Sequence, residues 1–197
     1  MGSVLTLLFA CAAETVTPEP GVAMDGTPDT TLREGLWTFE INAGTARLTG
    51  PRTLELGPDV LQGVAFRPDQ SAVVFARTAS APLPDLFAVD LETGSEVQLT
   101  DWIGFEDRPA FSPDGTRLAF FSGRTGLASL YVASLPQPLA TLDAASVTQL
   151  TNVGLETKKR IGAPPEGFVP PPDDGVLSWT EAGLHWTAGG QTFTVTP

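Results

Sequence analysis

The stretch "RPAFSPDGTRLAFFSGRTG", residues 108–126, sets Pro113, Asp114 and Gly115 in a row between Phe111 and the apolar run Leu118–Phe121. Proline fixes φ near about −65° at the first corner of a turn, and aspartate caps the next amides. Glycine then admits the positive φ that completes the reversal. An apolar strand therefore enters through Phe111 and a second leaves after Gly115. The second is apolar at successive positions, which is how a strand covered on both faces reads. The turn itself carries no chemistry.

The same unit recurs on either side. "VAFRPDQSAVVFAR" (64–77) matches "PAFSPDGTRLAFFSG" (109–123) closely, and "GFVPPPDDGVLSWT" (167–180) matches it loosely. Four other segments align with one another: "LWTFEINAGTARLTG" (36–50), "LFAVDLETGSEVQLTD" (86–101), "LYVASL…VTQLTN" (130–152) and "LHWTAGGQTFTVTP" (184–197). Each reads as a strand, a break and a second strand, usually closing on Leu-Thr. The breaks "NAG", "ETGS" and "AGG" supply the Gly or Asn that a tight hairpin needs at positive φ. In the third segment the insertion "PQPLATLDAAS" replaces the turn. One unit is thus four strands, two around a Pro-Asp turn and two around a Gly turn. Leu36, Leu86, Leu130 and Leu184 recur at intervals of 50, 44 and 54 residues. Four strands at a period of about 40–50 residues mark propeller blades.

"RPAFSPDGTRLAFFSGRTG…LYV…QLTN" resembles the blade repeat of the TolB-type β-propellers, a WD-like repeat found also in the propeller domains of prolyl oligopeptidase relatives. The resemblance implies an all-β propeller, an envelope setting and protein binding or scaffolding without catalysis. The expected layout is a signal peptide at 1–11, an acidic linker at 12–35 and propeller repeats at 36–197. Those repeats divide into a partial blade at 36–50, the outer two strands of a unit, and blades at 61–101, 105–152 and 165–197. That makes about three and a half four-stranded antiparallel blades, where closed propellers have at least about four. A four-bladed ring with one incomplete blade, an open arc and a fragment of a longer gene product all stay open. An open arc would expose an apolar blade face and strand edges, which a second copy of the chain could cover.

The single cysteine, Cys11, excludes an intramolecular disulfide and any cysteine metal site. It ends "MGSVLTLLFAC", whose apolar run is too short to cross a bilayer as a helix but long enough for a signal-peptide core. "LFAC" resembles the lipobox of bacterial lipoproteins, which implies lipidation at Cys11 and a periplasmic or surface location with the lipid as sole membrane contact. Two features depart from that pattern, no Lys or Arg before the run and a bulky Phe9, so a plain cleaved signal or a disordered N-terminus stays open beside it. Residues 12–35 hold Pro18, Pro20, Pro28, threonines and more acids than bases, the composition of a solvated tether.

The chain of 197 residues has 11 Lys plus Arg against 23 Asp plus Glu, a net charge of −12. Such a surface repels phosphate backbones, so nucleic acid is excluded as a partner class. His185 is the sole histidine. No G-x-S-x-G elbow accompanies it and no thiol could join it on a zinc ion, so it reads as a structural or surface residue. Glu106-Asp107 and Asp173-Asp174 are carboxylate neighbours, but adjacency in sequence does not make carboxylates converge. Asp173-Asp174-Gly175 reads as a turn. Lys158, Lys159 and Arg160 form a basic cluster inside a Gly/Pro-rich insertion at 153–176, read as a solvated loop. No phosphate loop, dinucleotide fingerprint or cofactor motif is present.

One loop stands apart. "TDWIGFEDRP" joins one blade to the next and carries Trp102, Phe105, Glu106 and Asp107, the candidate residues for contact with an envelope protein. Trp37, Trp179 and Trp186 fall within strands and read as core. The alternative reading is an accessory or fragment of a prolyl-oligopeptidase-type hydrolase, or a truncated gene product.

Overall fold

The computed structural model describes residues 30–42, 45–78, 83–155 and 164–197. The expected signal and lipobox segment with Cys11, residues 12–29 of the expected linker and the Lys158–Arg160 cluster lie outside the described residues. Apart from one short 3-10 turn, Ala144–Ser146, the described residues form strands and turns in four antiparallel sheets, each an up-and-down meander whose spatial order is its chain order. The first holds β1 (Thr30–Glu34), β2 (Trp37–Asn42), β3 (Thr45–Thr49) and β4 (Thr53–Gly57). The second holds β5 (Val60–Phe66), β6 (Ala72–Arg77), β7 (Asp85–Asp90) and β8 (Glu96–Gln98). In the third are β9 (Glu106–Phe111), β10 (Arg117–Ser122), β11 (Ser129–Ser134) and β12 (Thr148–Gln149). Three strands make the fourth: β13 (Ser178–Thr180), β14 (Gly183–Ala188) and β15 (Gln191–Val195).

The Pro-Asp turn forms as its residues require. Gly115 takes φ +68° and its amide donates to the Ser112 carbonyl at 2.8 Å. Asp114 accepts from the Ser112 hydroxyl at 2.5 Å and from the Thr116 amide at 3.1 Å. In the second sheet the matching position is Gln70, at φ +59°, and its side chain accepts from the Leu36 amide at 3.1 Å. A non-glycine residue there is strained, and that hydrogen bond ties the first two sheets together in return.

Three apolar clusters stack the sheets like pages. Trp37, Phe39 and Leu48 of the first sheet meet Val73, Phe75 and Phe87 of the second. The second sheet's other face, with Val74 and Leu86, meets Leu118, Phe120 and Tyr131 of the third. Ala119, Phe121 and Leu130 then meet Leu184 and Trp186 of the fourth. β6 and β10 thus bury both faces, which explains their unbroken apolar runs. Each fully buried Phe or Leu contributes about 1.5–3 kcal/mol. Residues of the four inner edges converge on one cavity of about 290 Å³: Leu32 from β1, Val64 from β5, Pro109 from β9, and Leu177 just before β13. Blades stacked face to face around a shared axial cavity are a partial β-propeller.

None of the three clusters joins the first sheet to the fourth. The two end faces are polar: in register they carry Thr38, Glu40 and Arg47 on one and Ser178, His185 and Thr194 on the other. The apolar end face expected of an open arc is therefore absent among the described residues. Terminal units with a polar outer face can stand against water.

Two boundaries differ from the sequence reading. Residues 36–50 are not the outer pair of a partial blade but the central hairpin β2–β3 of a full one, and the expected linker gives up its last residues to β1. β1 and β4 turn one face to water, so "TTLRE" and "TLELG" have a tether's composition although both strands are paired. In the last unit the Pro-Asp segment does not form two strands. Pro170, Pro171 and Pro172 cannot donate ladder hydrogen bonds, and the first strand begins only at Ser178.

Candidate functional site

In a meander of this kind alternate turns share a rim. One rim carries the Pro-Asp turns; the other carries the connections between blades. The connection from the second to the third sheet is the loop Leu99–Phe105, and it is built from the Gln-Leu-Thr repeat. Thr100 is fully buried, and its hydroxyl accepts from the Leu86 amide at 2.9 Å while donating to Asp85 Oδ1 at 3.2 Å. The Leu99 amide donates to the Leu86 carbonyl at 2.8 Å, and Gln98 Nε2 bridges Asp85 Oδ2 and the Thr100 carbonyl. The next blade repeats this clasp: Thr151 accepts from the Leu130 amide at 2.8 Å and Gln149 donates to the Thr151 carbonyl at 2.9 Å. The Leu-Thr signature is thus a fastener that satisfies buried backbone groups where an outer strand ends.

The two clasps differ at one position. Where the third blade has Ser129, the second has Asp85, only 8% exposed. Next to it lies Glu106, the first residue of β9, fully buried. Glu106 Oε1 accepts from the Ser122 hydroxyl at 2.6 Å, whereas Oε2 has no donor near it. A carboxylate stranded this way is costly. Burial, first, and then the neighbouring Asp85 charge raise the Glu106 carboxyl to about 7, against the Ser122 hydrogen bond and the Arg124 cation. A proton on Oε2 would turn it into a donor for the neighbouring Asp85 carboxylate and so satisfy the stranded oxygen. Burial also raises Asp85, opposed by the Thr100 hydroxyl and assisted by the Asp101 charge. Asp107 is raised by burial too, opposed by its ion pair with Arg108.

The loop above this pair is held rigidly. The Glu106 amide donates to the Pro84 carbonyl at 2.8 Å, and the Gly123 amide to the Phe105 carbonyl at 2.9 Å. Gly104 takes φ +128°, and a Cβ there would stand 2.8 Å from the Arg124 backbone nitrogen, so only glycine fits. The Arg124 guanidinium lies 4.4 Å from the Trp102 ring centroid, within cation–π range. It also donates to the Ala144 carbonyl at 3.0 Å. Trp102 in turn packs on Phe120 at 6.0 Å. At the crest of this braced loop Ile103 is 92% exposed, with Leu83 of the adjoining loop 46% exposed.

The expected contact residues divide accordingly. Glu106 is buried and unavailable to a partner, a correction whose cause is its place at the blade junction. Asp107 is half-buried against Arg108. Phe105 packs into the third cluster, over Gly123. Trp102 is half-buried beneath Arg124. The exposed apolar residue is Ile103, which the sequence reading passed over, and Asp85 was likewise not singled out. A comparison of "DLFAV" with "SLYVA" would have found Asp85, as an acid where the repeat has serine. Isolated Ile103 left no pattern to read.

Elsewhere, His185 bridges hydroxyls on the fourth sheet's outer face, Thr180 at 3.0 Å and Thr194 at 3.2 Å, a structural role. Asp174 caps the Val176 amide within its own turn, while Asp173 accepts from the Gly189 amide of the turn between β14 and β15. Trp37 and Trp186 are buried core residues, while Trp179 is half-buried with Arg117 over its ring at 4.8 Å. Among the described residues no three His, Cys, Asp or Glu side chains converge as a metal site would need.

The sheets and their stacking define the class, a partial β-propeller. No family model matches the chain and no curated protein matches it. Solved propeller structures are similar to it. One, assigned as TolB from Agrobacterium tumefaciens, is 22% identical with a TM-score of 0.49, over 60% of this chain and 43% of that one. TolB from Acinetobacter baumannii is 18% identical with a TM-score of 0.46, over 76% and 37%. The tricorn protease is 11% identical with a TM-score of 0.49, over 58% and 16%. The chain thus spans less than half the length of each.

Proposed function

We propose that this chain is a non-catalytic, protein-binding propeller of the bacterial cell envelope that docks a partner through the loop joining its second and third blades. The observation that carries the reading is Ile103: an almost wholly exposed apolar side chain on a loop braced by the Thr100 clasp, Gly104 and the Arg124–Trp102 stack. Surface isoleucines are common singly. One held on a rigid loop beside a second exposed leucine is preorganised, and a preorganised anchor loses little entropy on binding. The net charge of −12 favours a partner face that is not itself acidic.

The test is a photo-cross-linking side chain placed at position 103 in the native host. One dominant envelope protein is expected, and Trp102→Ala is expected to abolish its capture. Cross-links to the chain itself alone would replace this reading with self-association. Hydrolysis of a peptide or ester by the purified chain would overturn the non-catalytic part. Envelope anchoring through Cys11 is tested separately by tritiated palmitate, whose incorporation is expected to vanish in Cys11→Ser.

A further inference from the structure

We propose that Glu106 and Asp85 form a proton-dependent latch across the junction of the second and third blades, closed while the two carboxyls share a proton and loosened when that proton leaves to solvent. The geometry carries this. Glu106 begins β9 of the third blade, Asp85 begins β7 of the second, and both are buried at the junction. The side-chain hydrogen bonds to the pair come from residues around the loop: Ser122 to Glu106, and Thr100 and Gln98 to Asp85. Of the pair's four oxygens Glu106 Oε2 is without a donor, and a proton on it adds a polar link between the two blades at this junction. Beside that link, the Glu106 amide bonded to the Pro84 carbonyl makes the same crossing through the backbone.

The charged groups facing the pair decide how the junction responds when the proton goes. Asp101, on the loop after β8, adds negative charge against Asp85. Arg124, on the turn after β10, is the cation that faces Glu106. Two ionised carboxylates repel each other where water cannot screen them. The new charge on Glu106 also draws on Arg124, the guanidinium that braces Trp102, whose Nη1 lies buried without a partner. Deprotonation therefore weakens the carboxyl link and the Arg124–Trp102 contact beneath the loop that carries Ile103. With the carboxyl raised to about 7, about half of the folded molecules lack that proton at neutral pH. That this loop docks a partner is the proposed function above, and the consequence for docking rests on it; the latch does not.

Native-state hydrogen exchange of the full chain tests the latch without any partner. The probe is the protection factor of the Glu106 amide, corrected for intrinsic exchange at each pH. Protection is expected to fall about tenfold per pH unit between about 5 and 7 and then level off, as one-proton linkage requires. Glu106→Gln keeps the shape and still donates to Asp85, so its profile is expected to be flat. Asp85→Asn removes the neighbouring charge and is expected to shrink the fall. A flat wild-type profile, or the same profile in wild type and Glu106→Gln, overturns the latch, and the wild-type profile alone suffices if a variant does not fold. A flat profile with cross-linking intact sinks the latch and spares the docking loop. A steep profile with no partner captured does the reverse.

Discussion

On the turn rim Asp69, Asp90 and Asp114 stand in water and gather hydrogen bonds from the turns they cap. Ser71 donates its hydroxyl to Asp69 at 2.6 Å, and the Thr93 amide donates to Asp90 at 2.7 Å. Each is held below its ordinary range by those donors, and Asp114, led by the Ser112 hydroxyl, falls to about 2. On the connection rim Asp85, Glu106 and Asp107 are drawn out of water at a blade junction, and burial raises all three. The same functional group is thus a charged cap at one end of the strands and a proton-holding link at the other. Water access decides which, because a donor array stabilises the anion while burial stabilises the acid. Turns can be charged and rigid; a junction that holds a proton can be rigid only while it holds it.

The largest effect that would break this contrast lies at Glu106. Its folded value is raised, so the stability it contributes is complete below about pH 4.5 and is lost as pH rises to about 7. That loss amounts to about 3 kcal/mol. Glu106→Gln should lack it and be the more stable protein at pH 8, in urea melts run across the range. Next comes Thr100→Val, which leaves the Leu86 amide buried without an acceptor and is expected to lower stability by about 2 kcal/mol. Thr151→Val should match it, because the Leu130 amide is clasped in the same way; a large difference would mean that Asp85 bears much of the first clasp.

The turn rim should respond in the opposite pH window and more weakly. Asp114 is lowered, so its contribution is present above pH 3.8 and lost as pH falls toward 2. Asp114→Asn is expected to melt slightly earlier than wild type near neutrality, with the gap closing in acid. Smallest of all on stability is Ile103→Asp, expected to leave the melt within about 0.5 kcal/mol of wild type. With the cross-linking side chain moved to the exposed position 83, the same change should remove partner capture, which would separate docking from folding.

The second and third blades were legible because three signals coincide in them: an apolar run, a Pro-Asp turn and a Leu-Thr close. The first blade was half legible. β2 and β3 alternate visibly, but β1 and β4 offer one or two inward leucines each and otherwise face water. In the last blade the turn motif survives, while three prolines remove the strand it should introduce. Of the site, Trp102 and the loop could be read from position alone. Glu106 was found for the wrong reason, since a charged pair at a loop end reads as exposed. Its partner Asp85 lies in another strand, and the pairing exists only once the blades stack.

The contrast between rims stands or falls on the carboxyl groups themselves. A carbon-detected titration of the side-chain carboxyls resolves all six in one experiment. The expected result is a Glu106 midpoint near 7 and an Asp114 midpoint near 2, with Asp85 and Asp107 above the ordinary aspartate value and Asp69 and Asp90 below it. A Glu106 midpoint at the ordinary glutamate value, near 4.5, would contradict it: the carboxyl would then be ionised and solvated, and the junction would hold no proton.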